Sequence, residues 1–152
     1  MTSPSARLRE LGLTLPSVAA PAGSYVPARR SGALVFTAGQ LPLVDGTLAA
    51  TGKVGAEVSP EQGKDLARTC ALNALAAVDA LVGLDAVAGV VKVVGFVASA
   101  PGFTGQPGVI NGASELLADV FGEAGRHARS AVGVAELPLG APVEVELVVE
   151  LA

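Results

Sequence analysis

One cysteine, one histidine, one methionine, one tyrosine and no tryptophan stand among 152 residues. The lone Cys70 excludes an internal disulfide and fits a reducing compartment. Cys70 and His127 together cannot make a conventional zinc site, so no metal is expected. Aromatic residues make up only 3% of the chain, which leaves few stacking platforms for bases. Charge is scarce too, at 16%. Ten basic against fourteen acidic residues give a net charge of −4, and Arg29-Arg30 is only a pair. Phosphate neutralisation along a basic stripe is therefore disfavoured, and nucleic-acid binding with it. No apolar run approaches the roughly 20 residues of a membrane helix. Arg7, Arg9 and Glu10 interrupt the N-terminal segment, which therefore lacks a signal-peptide core. The default location is the cytoplasm.

What the chain has in quantity is small and apolar. Ala, Val and Gly dominate, and apolar residues reach 51%. That excludes a disordered chain and suits one domain with a substantial core, spanning residues 1–152 with a short N-terminal extension over about 1–24. Apolar surface in excess of one core goes into an oligomer interface.

The periodicities give an alternating order of elements. Ser3 to Leu13 reads as a short helix, capped by Ser3, opened by Pro4 and weakened at Gly12. Leu8 and Leu11 would dock it. Tyr25 to Ala28 reads as an edge segment, because Pro27 cannot donate to a ladder. Ala33 to Thr37 is a strand ending at Ala38-Gly39-Gln40, where Gly39 either relieves a bulge or lets backbone approach a ligand. A turn at Val44 to Thr47 would return the chain as a short strand over Leu48 to Thr51. Ser59-Pro60-Glu61-Gln62 starts a long helix that runs to about Val82 and stops at Gly83. Leu66, Cys70, Asn73, Ala77 and Leu81 follow its spacing. Cys70 reads as a small buried hydrophobe. Asn73 either bonds a loop backbone or marks the edge of the stripe. A turn of helix over Leu84 to Val87 leads to a strand from Val90 to Ser99, interrupted at Gly95. A second long helix covers Gly108 to Gly122. The fold class is α+β, with both helices on one face of a mixed sheet.

Two last runs carry the chemistry. One contains Arg129 near its start, and the other, Val143 to Leu151, contains Glu144. Leu137 to Pro142 between them reads as a turn. If the runs pair, one guanidinium and one carboxylate face a shared space. A guanidinium matches a carboxylate ligand with two parallel hydrogen bonds, and a nearby carboxylate can hold a water or move a proton. The alternative is an ordinary strand pair with a solvated ion pair. His127 has a side chain that titrates near neutral pH, but reads as a surface or interface residue.

Taken together, Tyr25, the run Ala33 to Pro42, Asn73, Val91-Lys92-Val93, Ala128-Arg129-Ser130-Ala131-Val132, Leu137-Pro138 and Val143 to Glu146 resemble the RidA family. That family is also called YjgF, or L-PSP endoribonuclease-like. The resemblance runs from about Tyr25 to Leu151. It implies a chorismate-mutase-like fold and a homotrimer with a central barrel and ligand clefts between subunits. It also implies hydrolysis of amino-acid-derived enamines and imines to a 2-keto acid and ammonia, with no cofactor. On that pattern the catalytic residues would be Arg129, gripping the substrate carboxylate, and Glu144, handling the water proton. Tyr25 would line the cleft beside Ala38, and backbone at Gly39 would help hold the ligand. Asn111 and Ser114 either face that cleft or cap the second helix. The chain departs from the deaminating branch, which usually has Ser at Ala38 and often Cys at Ala131. Arg126-His127 replaces its usual Phe-Pro. A non-catalytic protein that binds a small carboxylate metabolite is therefore the alternative, and an endoribonuclease the third, against which the acidic charge and single histidine argue.

Overall fold

The computed structural model describes residues 2–152. In chain order it contains α1 (Pro4–Glu10), β1 (Ala28–Ser31), β2 (Leu34–Thr37), β3 (Leu43–Val44) and β4 (Thr47–Leu48). Then follow α2 (Pro60–Val82), β5 (Val87–Ala98), α3 (Gln106–Phe121), β6 (Ala128–Val134) and β7 (Val143–Leu151). The main sheet has the order β1-β2-β7-β5-β6, with β5 and β6 parallel and the other neighbours antiparallel. β3 and β4 make a separate small hairpin. The class is α+β, as the periodicity indicated.

β7 shows why one face is buried. Val143, Val145, Leu147, Val149 and Leu151 are buried, while Glu144, Glu146, Val148 and Glu150 alternate with them. In β5, Val93, Gly95 and Val97 stand opposite Leu147, Val145 and Val143, so they share the buried face. α2 and α3 cover that face. Side chains of Leu66, Cys70, Leu75 and Val78 from α2 and of Val109, Ile110, Leu116 and Leu117 from α3 join one core with it. α2 begins as expected: Ser59 and Gln62 exchange side-chain bonds with each other's backbone N–H, Pro60 follows, and Gly83 at φ +80° ends the helix. The two helices touch closely at Gly112, where a Cβ would collide with the Lys64 carbonyl. At the N-terminus, Ser3 caps α1 and Leu8 is buried. Asp85 accepts from both the backbone and the hydroxyl of Ser5, at 2.8 and 2.6 Å, and ties the helix to the body.

Several sequence expectations are corrected. β6 does not pair with β7. Both edges of β7 are taken, by β2 and β5, and the crossover through α3 returns β6 parallel to β5 on its outer side. Gly95 does not interrupt β5; it stays in register, and its missing side chain admits Ile110 of α3. The irregularities lie instead between Val87 and Lys92. β1 begins at Ala28 rather than Tyr25. Tyr25 is held in a local turn, its hydroxyl accepting from the Ala22 N–H at 3.0 Å, and Pro27 offers only its carbonyl, which accepts from Ala38. The expected strand over Leu48 to Thr51 shrinks to Thr47–Leu48, because its only ladder partner is the two-residue β3.

Gly39 sits in a bulge. Phe36 pairs with Val148, but Gln40, not Gly39, pairs with Val145, so β2 carries one extra residue against β7. Asn73 of α2 anchors the chain just beyond: its Nδ2 donates to the carbonyls of Leu41 and Leu43, both at 3.0 Å. Of the two readings for Asn73, the loop-backbone bond is the one present. Asn73→Ala removes the side-chain donor from both carbonyls, leaving Leu41 with the Leu43 N–H, and should destabilise the protein by about 1–3 kcal/mol in urea unfolding. Unchanged stability would mean that the segment after the bulge holds itself.

Candidate functional site

The expected site residues fall into two groups on opposite faces of the sheet. Glu144 stands opposite Phe96 and therefore lies on the face away from the helices. Its carboxyl is packed against the bulge: a Cβ built on Gly39 would lie 2.6 Å from Glu144 Oε1, so a side chain there would push the carboxyl aside. A cavity of about 440 Å³ is lined by Ala22, Tyr25, Ala38, Gly39, Pro138 and Glu144. Four of the expected residues, Tyr25, Ala38, Gly39 and Glu144, thus come together around one carboxyl and an aromatic ring.

Arg129 stands opposite Val93, on the helix-covered face of the edge strand β6. Its partners all come from one flank of α3. Nη1 donates to Asn111 Oδ1 at 2.8 Å and to Ser114 Oγ at 3.2 Å, and Nη2 donates to the Pro107 carbonyl at 3.3 Å. Residues 107, 111 and 114 follow the spacing of one helical face, which is why one side chain can reach all three. Asn111 and Ser114 therefore hold Arg129 instead of capping α3, whose N-cap is Gly105. Among the described residues no carboxylate forms an ion pair with Arg129. Three of its N–H donors are spent on neutral oxygens, and a guanidinium has five. Nε and one hydrogen of Nη2 remain, enough for a two-pronged carboxylate contact.

His127, read from sequence as a surface or interface residue, is bonded through both ring nitrogens. Nε2 lies 2.9 Å from Ser114 Oγ, and Nδ1 lies 2.6 Å from the Gly125 carbonyl. The sequence signal was present but faint: His127, just ahead of β6, and Arg129, inside it, are two residues apart, and both reach the α3 flank that carries Ser114.

Burial, and then the neighbouring carboxylate of Glu146, push the Glu144 carboxyl above its ordinary 4.5. Burial, and then Glu144, push the Cys70 thiol well up, which fits a thiol that only packs. Among the described residues no three His, Cys, Asp or Glu side chains converge as a metal-ligand set, and no helix is long and apolar enough to cross a membrane.

Comparison with known proteins gives concordant relatives. A sequence profile of the YjgF/chorismate-mutase-like family, whose description also carries an endoribonuclease label, matches residues 5–151. Protein TCP17 of Trypanosoma cruzi is 50% identical over 149 residues, covering 97% of this chain and 93% of that protein. The crystal structure of Atu1372 from Agrobacterium tumefaciens, a protein of unknown function, is 47% identical. It superposes with a TM-score of 0.90 over 98% of this chain and 92% of that one. The E. coli protein TdcF with bound serine is 26% identical, with a TM-score of 0.66 over 91% of this chain and 96% of that one.

The raised Glu144 carboxyl has a consequence for stability. A folded-state value above the unfolded one means that the ionised form costs stability. The cost is absent below the unfolded value, grows as pH rises toward the folded value, and is complete above it. Glu144→Gln should therefore melt higher than wild type at neutral pH, with the gap closing toward about pH 4. Parallel melting curves across that range would contradict the shift.

Proposed function

The chain belongs to the YjgF/chorismate-mutase-like family, and from that membership and the site geometry we propose a homotrimeric enamine/imine deaminase. Its clefts lie between subunits and take a small carboxylate-bearing metabolite. The observation that carries the reading is Arg129: a half-buried guanidinium with no ion-pair partner among the described residues and two donors unspent. The serine held by TdcF is itself a small amino acid with a carboxylate. One chain keeps Arg129 and Glu144 on opposite faces of its sheet, so a site that uses both needs a second copy. The face bearing Glu144 is suited to such a contact, since Phe36 and Val132 on it are 45% and 44% exposed.

In the proposed reaction Arg129 holds the substrate carboxylate and Glu144 of the partner subunit faces the imine carbon. Glu144 takes a proton from water as the oxygen attacks that carbon. It returns the proton to nitrogen, and the carbinolamine collapses to a ketone and ammonia. An enamine first takes a proton on carbon to become the iminium, the protonated form of the imine. A carboxyl raised above its ordinary range is better matched to carrying that proton at neutral pH than an ordinary one. The endoribonuclease label finds less support in a chain of net charge −4 with one histidine. Ala38 and Ala131 favour a second reading, a binding protein without turnover, because neither offers the hydroxyl or thiol seen in the deaminating branch.

Ammonia release from freshly generated 2-aminoacrylate tests the proposal. Glu144→Gln should leave carboxylate binding within a few-fold of wild type while cutting hydrolysis by about 10²-fold, the scale of a lost general acid–base group. Arg129→Lys should weaken binding by about 1.5–3 kcal/mol in calorimetry, since a point charge replaces the planar fork. Wild type no faster than the spontaneous reaction would leave the binding-protein reading. For the assembly, sedimentation equilibrium at micromolar concentration should return three chain masses; a stable monomer would remove the composite cleft.

A further inference from the structure

With a neutral His127 ring, the bonds around Ser114 have one consistent direction. Arg129 can only donate, so Ser114 Oγ accepts from it. The Gly125 carbonyl can only accept, so His127 Nδ1 carries a hydrogen and donates to it. In a neutral ring Nε2 is then bare. Ser114 still has its own hydroxyl hydrogen, and Nε2 at 2.9 Å is the acceptor facing it. The result is a directed chain from the Arg129 guanidinium through Ser114 and His127 to the Gly125 carbonyl, with both ends fixed by chemistry.

The far end is rigid as well. Gly125 is buried where a Cβ would collide with the Leu117 carbonyl of α3, and the Arg126 N–H closes a tight turn on the Glu123 carbonyl at 3.1 Å. The carbonyl that receives Nδ1 is therefore held by the body of the protein. At the near end, Asn111 and Ser114 take the two hydrogens of Nη1. That leaves Nε and part of Nη2 as the edge open to a ligand.

We propose that His127 is a positioning residue for the anion site: as the neutral, Nδ1-protonated ring it orients the Ser114 hydroxyl, which fixes Nη1 of Arg129 and aims the remaining edge of the guanidinium at a carboxylate. Without that acceptor the Ser114 hydroxyl is free to rotate, and the lone pair it now offers is no longer held toward Nη1 of Arg129. The proposal deepens the carboxylate-binding reading of Arg129 and rests on it for its functional meaning.

The single histidine makes the test direct. Nitrogen NMR of wild type at about pH 8, where an ordinary imidazole is neutral, should show a protonated Nδ1 and a bare Nε2. The Arg129 guanidinium should show hindered rotation, with separate Nη signals. In His127→Leu those signals should merge. In His127→Gln, whose Oε1 stands near the place of Nε2, they should separate again. Affinity for pyruvate should fall about 3- to 10-fold in His127→Leu, the scale of one lost hydrogen bond, and recover in His127→Gln. In an Arg129→Ala background His127→Leu should change nothing further. An Nε2-protonated ring in wild type, or an Arg129 guanidinium equally hindered in His127→Leu, overturns the proposal. If wild type binds no carboxylate at all, the functional reading of Arg129 fails, and the tautomer and guanidinium signals still decide the role of His127.

Discussion

Both edges of β7 are occupied, and most of the molecule follows from that. With β2 on one side and β5 on the other, β7 is a central strand with no exposed ladder. Its strict alternation then assigns the two faces of the whole sheet. The buried Val and Leu positions fix where α2 and α3 must lie, and the alternate positions carry Glu144 and Glu146 to the uncovered side. β6 is pushed out to the edge beyond β5, and its register sets Arg129 under α3. The separation of guanidinium from carboxylate is thus a consequence of strand order, not of any local feature near either residue.

Much of this was legible in the chain. Ser59 to Gln62 announced α2, and Gly83 announced its end. The alternation over Val143 to Leu151 gave the buried face, and a resemblance spread over Tyr25 to Leu151 gave the family. What misled was proximity in sequence. Runs containing Arg129 and Glu144, joined by a turn-like Leu137 to Pro142, look like a hairpin, because the local signal for a hairpin is the same whether or not the edges are free. Which edges are free depends on β2 and β5, residues far away in sequence. Gly95 misled in a similar way. A glycine in a strand suggests a break, yet here it makes room for Ile110 of α3.

The candidate site was legible residue by residue but not as an arrangement. Arg129, Asn111 and Ser114 were each singled out, and the spacing of 107, 111 and 114 on one helical flank is visible once α3 is assigned. His127 was passed over because a lone histidine in a string carries no partner with it. Its meaning comes from a carbonyl two residues earlier and a serine thirteen earlier, which meet only after α3 has packed.

The same strand order bears on symmetry. A two-fold contact of uncovered face on uncovered face would set the Glu144 and Glu146 carboxylates of two copies near one another, and would leave Arg129 outside. A head-to-tail contact sets the edge of one copy against the uncovered face of the next, and such contacts close into rings when the rotation allows. Electrostatics then ties assembly to chemistry. Within one chain the Glu144 carboxyl is raised by burial and by Glu146. Arg129 of the partner subunit, if brought near, would pull it back down, because an opposite charge favours the ionised form. A ligand carboxylate bound between them would neutralise the guanidinium and restore the upward push. In the proposed cleft, then, substrate binding itself would help prepare Glu144 to carry a proton. Without ligand the same residue would keep the part of the upward push that burial and Glu146 supply.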